Sequence, residues 1–431
     1  MPALHRTVFN EKHKDLGAIM VNCSGWQMPG HYPGGDVREH LCVRYHAGLF
    51  DESHKGKFRI TGSTSLYFLQ HILTGNADAL SDGQSQYTII QTEEGFAVDN
   101  ALLFRLRRNR YLLCVNAVNR ERTWRHLQNE AMNFKDLYIE DKTFELAMLC
   151  LQGPGARPVI DRVLEKRRRK APESKLPGDT IIAGTRVIPG HTADPALPER
   201  TDLFMDKNEA LPVWDYLAEN GAEPVGLEAR ETLRLESAMP AFGHELGLDP
   251  ENRPIPIFAS PHAPCLVSLS LKKGDFLGKD ALVEQFRAYE RIAAHDCSDI
   301  AVLPRMIHPV IVKGNKSANR GDEVRRNGKR IGFVTSGALV PLRSGTDSGT
   351  EPASALTEKT SSLALALLDA PTIPGEQIQI RIRNRFTDAV VVPFGRKPDS
   401  RSFSPPVLWD YALSTGNRTT SKKNAANPIS H

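Results

Sequence analysis

The stretch QYTIIQTEEGFAVDNALLFRLRRNRYLLCV, residues 86–115, determines the fold class that the sequence predicts. Residues 86–91, 101–106 and 110–115 are rich in β-branched and large apolar side chains, and short polar turns separate them. Three such runs in succession predict an antiparallel meander. Apolar residues at helical spacing in 63–73 predict a helix before the meander, so the pattern indicates a mixed α+β fold.

The rest of the chain divides into a second mixed segment and a C-terminal segment made of strands. Beyond the meander the sequence predicts a strand at 146–151 and helices at 120–132, 156–164, 211–220 and 226–237. After residue 299 it predicts strands at 311–312, 323–325, 329–334, 363–368 and 377–382. Strands without long helices between them are typical of a small β-barrel, here interrupted by a Gly/Ser/Thr/Glu-rich insert at 343–362.

Length and composition set the expected domain organisation. A chain of 431 residues, 40% hydrophobic and 25% charged, is longer than one ordinary domain and can bury a large core. We predict two α+β subdomains within residues 1–299 and the β-barrel at 300–398. The tail at 399–431 is rich in Ser, Asn and Pro and is predicted to be disordered.

Charge, hydropathy and cysteine content exclude several classes of function. The net charge of +4 is too small to require nucleic acid as a partner, and no apolar stretch is long enough to predict a membrane span. The six cysteines include no C-x-x-C pair, and the N-terminal residues are charged and lack the apolar core of a secretory signal. These features predict a cytoplasmic protein with reduced thiols.

The first candidate site is a turn, FDESHKGK at residues 50–57, that leads directly into a strand. It combines carboxylate, hydroxyl, imidazole and ammonium groups, and functional residues often lie at the ends of such elements. An acidic helix cap or a surface turn explains Asp51 and Ser53 equally well.

The second candidate site lies at the ends of two neighbouring strands of the meander. Asp99 and Asn100 precede the strand at 101–106, and Asn116 follows the strand at 110–115. An antiparallel pairing brings these ends to one edge, where Asn100 and Asn116 can face a common pocket. Amides offer both donors and acceptors, which suits the recognition of a heterocycle. The alternative is that these residues only form turns and caps.

Two clusters of basic residues are further candidates. In GLEARETLRLE, residues 226–236, Arg230 and Arg234 lie four apart on one helical face and can hold a carboxylate. The alternative is an internal salt-bridge ladder with Glu231 and Glu236. The run KRRRK at 166–170 predicts a solvated loop, with docking of an acidic partner as the alternative.

Seven motifs together resemble one known family. They are GWQMP at 25–29, EHLCVR at 39–44, GLFDESHKGK at 48–57, LQGP at 151–154, GLEARETLRLE at 226–236, GDFLGK at 274–279 and IGFVTSG at 331–337. In this order they resemble the aminomethyltransferase (glycine cleavage system T-protein) family. The resemblance covers about residues 12–397 and implies a three-domain, cloverleaf-like α+β fold. It also implies a central channel that holds tetrahydrofolate, with the C-terminal β-barrel closing the ring.

The resemblance also implies roles for individual residues. Tyr87 matches a tyrosine that lines the folate site, Asn116 an asparagine near the pterin, and Arg230 an arginine that helps hold the cofactor. The family's principal acid is the second member of an Asp-Asp pair, and here Asp99 matches the first member while Asn100 takes the place of the second. An amide can donate a hydrogen bond to folate, but it cannot accept and return a proton at neutral pH.

A second departure concerns a glutamate that binds folate in the family. The segment that leads to it is replaced here by IPGHT at 188–192 and a proline-rich insert, and Asp202 is the best candidate for the missing acid. Lys55 occupies a place that is commonly methionine and adds a charge near the pocket.

The expected function is tetrahydrofolate-dependent transfer of an aminomethyl, methylene or methyl group. Asn100 positions the pterin, and Asp99 or Asp202 takes the remaining proton role. The donor is an aminomethyl group on a lipoyl carrier protein or a small methylated molecule. A methylated molecule with a good leaving group suits a site that lacks the acid, because that group needs little protonation to leave. The alternative from another class is a folate-binding or folate-channelling protein without turnover.

Overall fold

The computed structural model describes residues 3–165, 180–192, 200–342 and 359–393. The predicted basic run at 166–170, most of the insert at 343–362 and the tail at 399–431 lie outside these residues.

Strands and helices alternate through the first two thirds of the chain, and strands dominate the last third. The described residues form the strands β1 His5–Arg6, β2 Ile19–Cys23, β3 Trp26–His31, β4 Gly48–Asp51, β5 Gly56–Thr61, β6 Gln84–Gln91, β7 Ala97–Arg107, β8 Arg110–Val115, β9 Tyr138–Asp141, β10 Leu146–Gln152, β11 Thr180–Ile182, β12 Thr185–Thr192, β13 Arg200–Asp206, β14 Glu223–Pro224, β15 Arg305–Val312, β16 Glu323–Arg326, β17 Lys329–Leu342, β18 Lys359–Asp369, β19 Gln377–Ile382 and β20 Arg385–Val391. Their helices are α1 Asn10–Asp15, α2 Gly35–Tyr45, α3 Ser65–Ile72, α4 Arg120–Ala131, α5 Ala156–Glu165, α6 Ala210–Glu219, α7 Leu227–Glu236, α8 Ala263–Leu266 and α9 Lys279–Ala293.

The predicted meander is confirmed as the antiparallel strands β6, β7 and β8. They belong to a large sheet in the order β14-β4-β10-β13-β12-β6-β7-β8-β5-β9, with β11 paired to β12. Strand β7 begins at Ala97, four residues earlier than predicted, so Asp99 and Asn100 lie within the strand. Asn100 pairs with Ile89, and Ala101 pairs with Val115 at the end of β8.

Both faces of the meander are buried, which explains its nearly continuous apolar runs. On one face Leu103 and Leu113 pack with Phe68 of α3 and Leu127 of α4. On the other face Phe104 packs edge-on against Phe204 of β13, with ring centroids 4.8 Å apart. Each fully buried side chain of this size contributes about 1.5–3 kcal/mol to folding.

The predicted C-terminal barrel is confirmed as six strands that close in the order β15-β18-β17-β16-β19-β20. Closure requires β20, Arg385–Val391, which the sequence pattern did not predict. Helix α7 packs against β17 and so links the barrel to the large sheet. In the described part of the chain, no helix combines the length and the apolar character needed to span a membrane.

Candidate active site

A cavity of about 300 Å³ lies between the meander, helix α7 and residues 239–244. Four of the five residues expected to bind the cofactor line it, namely Tyr87, Asn100, Asn116 and Arg230. They come from β6, β7, the end of β8 and α7, so the fold brings together groups up to 143 positions apart. Asp99 and Asp202 are fully buried behind the wall of the cavity. The volume is at the lower end of the range for small-molecule sites.

Asp99 fixes the orientation of the amide groups on this wall. Asn116 Nδ2 and Asn119 Nδ2 donate to Asp99 Oδ1 at 2.7 and 2.9 Å, and the backbone N–H of Asn116 donates to Oδ2 at 2.9 Å. Because an ionised carboxylate only accepts, these contacts define which side-chain atom of Asn116 is the nitrogen. Asp99 therefore acts on the cavity through Asn116.

Asn100 is oriented in the same way by its own contacts. Its Oδ1 accepts from Asn116 Nδ2 at 3.0 Å and from the backbone N–H of Phe242 at 3.2 Å. Across the described residues, Asn100 Nδ2 and Asn116 Oδ1 have no hydrogen-bond partner. The wall thus presents an unpaired amide donor beside an unpaired amide acceptor, and the common pocket predicted for the two asparagines is present.

Burial changes the protonation of Asp99. Desolvation raises the pKa of its carboxyl to about 6, although the hydrogen bonds from Asn116 and Asn119 act in the opposite direction. The group is therefore mostly ionised at neutral pH and protonates in mildly acidic solution.

The carboxylate of Asp202 is paired with the guanidinium of Arg200, and Arg200 lines the cavity in front of Asp202. Arg200 Nε donates to Asp202 Oδ2 at 2.9 Å, and Nη2 donates to Oδ1 at 2.7 Å. The same Nη2 donates to Glu52 Oε2 at 2.7 Å, and Nη1 lies 3.4 Å from the Tyr87 hydroxyl oxygen. Asp202 therefore holds a guanidinium in place of facing the cavity.

Glu52 is the centre of a buried group of cations. Its Oε2 accepts from Lys55 Nζ at 2.6 Å as well as from Arg200, and Arg230 Nε lies 3.1 Å from its Oε1. Burial alone would raise the pKa of Glu52, but Arg200, Arg230 and Lys55 hold it well below its ordinary value. Glu52 is therefore ionised, and Lys55 lines the cavity.

The turn at 50–57 is buried, so the surface-turn alternative is wrong. Its residues divide between structure and the candidate site. Asp51 Oδ2 lies 3.1 Å from Nε2 of the buried His13, and Lys57 Nζ donates to the carbonyl oxygens of Ser53 and Lys55. These contacts hold the turn, while Lys55 supplies the cavity with a charge.

Helix α7 places its two arginines in different surroundings. Arg234 forms ion pairs with Glu231 and with the fully buried Glu245. The pair with Glu231 is the one that the salt-bridge ladder predicted. Glu236 pairs with Arg44 on helix α2 instead. Arg230 is one third exposed and lines the cavity, so for this residue the binding alternative stays a prediction.

Some cavity residues were not predicted from the sequence as site residues. They include Arg200, His244 and Glu231, and the sequence pattern offered only a salt-bridge ladder for Glu231. The available signal for Arg200 was its spacing: residues two apart in a strand lie on one face, which places Arg200 beside Asp202. Among the described cavity residues, Glu231 is the one carboxylate.

The fold is α+β, and its candidate cavity lies between the large sheet, helix α7 and residues 239–244. Comparisons with known proteins identify the family. Residues 9–177 match the GCVT N-terminal domain. The aminomethyltransferase of Symbiobacterium thermophilum is 31% identical over 415 residues, which cover 93% of this chain and 99% of that protein. The aminomethyltransferase of Prosthecochloris aestuarii is 33% identical over 351 residues, 78% of this chain and 88% of that protein.

The chain belongs to the aminomethyltransferase family, the T-protein family of the glycine cleavage system, whose members are one-carbon transferases. The crystal structure of the glycine cleavage system aminomethyltransferase T from Bartonella henselae has the same fold, with a TM-score of 0.72 over 94% of this chain and 99% of that chain at 22% identity. The family and the fold class predicted from the motifs are confirmed.

Proposed function

We propose that this chain is a tetrahydrofolate-dependent one-carbon transferase and that the cavity is its folate site. The observation that carries the proposal is the unpaired donor of Asn100 beside the unpaired acceptor of Asn116. A pterin ring presents donors and acceptors along one edge, so it can satisfy both amides at once. The family's dependence on folate supports the same assignment.

The residues present fit a folate, with one change from the expected set. Asn100 and Asn116 bind the pterin edge, and Arg230 and Tyr87 complete the wall. Asp202 serves by holding Arg200, because both of its oxygens accept from that guanidinium. Asp99 is a positioning residue, because its contacts orient Asn116.

The chain's own groups limit the acid–base chemistry at the site. When bound, tetrahydrofolate supplies a nucleophilic ring nitrogen to which the one-carbon unit is transferred. Arg234 keeps the pKa of Glu231 below its ordinary value against the opposing effect of burial, so Glu231 provides a fixed negative charge. His244 Nδ1 donates to the carbonyl oxygen of Thr335 at 3.2 Å, because a carbonyl oxygen can only accept, and Nε2 is left as the ring nitrogen that can contact a ligand.

This limited supply of acids favours one donor class over another. At the strand position where the family has an acid, Asn100 carries no titratable proton, and Asp99 is engaged with Asn116 and Asn119. A leaving group that departs without protonation, such as a thioether from a sulfonium or an amine from a quaternary ammonium, suits this wall. We therefore propose a small methylated molecule as the donor, with an aminomethyl group on a lipoyl carrier protein as the alternative.

Calorimetry with tetrahydrofolate tests the folate site. We expect saturable binding to the wild type and about tenfold weaker binding to Asn100→Ala, because the variant loses one neutral hydrogen bond and leaves the Phe242 N–H without its acceptor. Asn133→Ala alters an exposed asparagine and is expected to bind like the wild type. No heat with the folded wild type would reject the folate site itself.

A transfer assay distinguishes the donors. With tetrahydrofolate as acceptor, we expect methyl transfer from at least one member of a panel of methylated sulfonium and quaternary ammonium compounds. Activity confined to the aminomethyl group of a lipoyl carrier would reject the proposed donor class. Folate binding without transfer from any donor would instead identify a folate-binding protein without turnover.

A further inference from the structure

The corner of the cavity around Glu52 holds more positive than negative charge. Lys55, Arg200 and Arg230 are its cations, and Glu52 and Asp202 are their carboxylate partners. Lys55 and Arg200 are each only 6% exposed. A cation that is largely withdrawn from water is unfavourable unless an anion compensates it. The corner's own groups sum to one positive charge, and the Glu231 carboxylate near Arg230 offsets it only in part, because Arg234 already engages that carboxylate.

Several donors of the corner are also unused. Lys55 Nζ donates only to Glu52 within the described chain, although an ammonium has three N–H bonds. Arg230 contacts Glu52 through Nε, and neither of its Nη atoms has a partner among the described residues. Burial raises the pKa of Tyr87 to about 12, so its hydroxyl keeps a proton to donate. All three side chains line the cavity.

Besides burial, the neighbouring cations also lower the pKa of Lys55. Burial is the main cause that lowers its pKa, and the neighbouring Arg230 is the next, with Glu52 opposing both. The charge of a bound anion would act in the same direction as Glu52 and stabilise the ammonium form. Lys55 is also this chain's departure from the methionine that the motif resemblance implies at its position.

We propose that Lys55, Arg230 and Tyr87 form a carboxylate-binding subsite and that the one-carbon donor is a small methylated acid. The inference rests on the proposed function, because it assigns the second reactant of that site. A donor bearing a sulfonium or quaternary ammonium is accommodated here as a zwitterion, whose carboxylate pairs with Lys55 and Arg230. A donor with only positive charge is repelled.

The position of the corner favours the donor over the glutamate tail of folate as the source of the carboxylate. Tyr87 pairs with Leu102, two residues from Asn100 on the same strand, so Tyr87 is a diagonal cross-strand neighbour of Asn100. Such neighbours lie about 7–8 Å apart. The subsite is therefore beside the amide pair assigned to the pterin, whereas the glutamate of folate is separated from the pterin by a benzoyl spacer.

Affinity measurements on matched probes test the subsite. The probes are trimethylglycine and methoxyacetate. Each is compared with its carboxamide, in which a neutral amide replaces the carboxylate, and binding to the full chain is measured by calorimetry with and without tetrahydrofolate. We expect the wild type to bind at least one acid about tenfold or more tightly than its amide. Lys55→Met is expected to abolish most of this preference, and Lys55→Arg to retain it.

The controls separate charge, folding and folate binding. Lys279→Met removes a partly buried ammonium outside the cavity and is expected to keep the wild-type preference. In Lys55→Met, Glu52 keeps Arg200 and Arg230 as partners, and a melting curve checks that the variant is folded. Equal binding of acids and amides by the wild type would overturn the proposal, even where tetrahydrofolate binds normally.

A folate analogue without its glutamate identifies the source of the carboxylate. We expect Lys55→Met to leave the affinity for tetrahydrofolate and for tetrahydropteroate unchanged. If the variant weakens tetrahydrofolate binding by about tenfold but not tetrahydropteroate binding, the subsite holds the folate tail and the donor assignment is wrong. Because the probe measurements without folate are independent of the cofactor, failure of the folate site remains distinguishable from failure of the subsite.

Discussion

Replacing Arg200 by methionine is expected to lower the free energy of unfolding by about 3–5 kcal/mol. The guanidinium is almost entirely buried and is the hydrogen-bond partner of both oxygens of Asp202. Methionine has a similar length but no donor, so Asp202 would keep a buried negative charge without its counter-ion. Glu52 is affected less, because Lys55 and Arg230 still pair with it.

Urea denaturation measures this loss of stability. A double variant tests whether the unpaired carboxylate of Asp202 causes it. In Arg200→Met/Asp202→Leu the unpaired carboxylate is removed as well, so we expect stability to recover by more than half of the loss. Arg108→Met on the exposed β7–β8 hairpin is the control and is expected to change little. A loss below about 1 kcal/mol in the single variant would mean that Asp202 finds another partner or that water reaches it.

The sequence predicted the meander and its amide pair because local rules governed both. Residues 110–115 were predicted as a strand with the bounds that the structure shows, since both faces of β8 are apolar. Antiparallel pairing then places Asn100 and Asn116 at one edge whatever the rest of the fold does. The barrel was predicted for the same reason, from short strands with alternating burial such as β19.

Of the four described helices that were not predicted, the two longest, α2 and α9, were missed for different reasons. Helix α2 buries Glu39 and His40 beside Leu41, so its buried side carries polar residues and shows no apolar stripe. Their partners lie about 190 residues away, at Gly226 and Thr232. Helix α9 is amphipathic, but its buried set includes Gln285, which bonds to Gly95 and Phe258. Such partners become known only when the tertiary structure is known.

The cation corner could not be predicted for the same physical reason. Arg200 contacts Glu52 across 148 positions of sequence, and no pattern of spacing expresses that contact. The family resemblance made Asp202 the best candidate for the missing acid, but the sequence could not show that both of its oxygens accept from Arg200. Residue types were thus predictable at this site, whereas their pairing was not.

The free energy of unfolding of the wild type, measured relative to Asp99→Asn, is expected to fall by about 2.4 kcal/mol between pH 4 and pH 7. The pKa of Asp99 is about 6 in the folded protein and 3.8 in its ordinary state. Between these values the folded state binds more protons than the unfolded state, so stability is greatest at low pH and decreases as pH rises. This direction is opposite to that of a salt-bridged aspartate.

Urea denaturation at intervals between pH 4 and pH 7 provides the measurement, and Asp136→Asn provides a control of opposite sign. Asp136 is exposed, and its hydrogen bond with Ser63 lowers its pKa, so the stability that it adds is lost as pH falls. A difference between wild type and Asp99→Asn that increases with pH would show that the bonds from Asn116 and Asn119 outweigh burial.

The same titration connects stability to ligand recognition. An ionised Asp99 accepts from the backbone N–H and from the side-chain Nδ2 of Asn116. The side-chain oxygen Oδ1 of Asn116 therefore stays available to the cavity. A protonated Asp99 is also a donor, so it can bond to that oxygen and remove the reason for the amide's orientation. We therefore expect tetrahydrofolate affinity to fall as pH drops below about 6, and calorimetry on wild type and Asp99→Asn separates this effect from titration of the ligand. An identical pH dependence in both proteins would place the titrating group elsewhere.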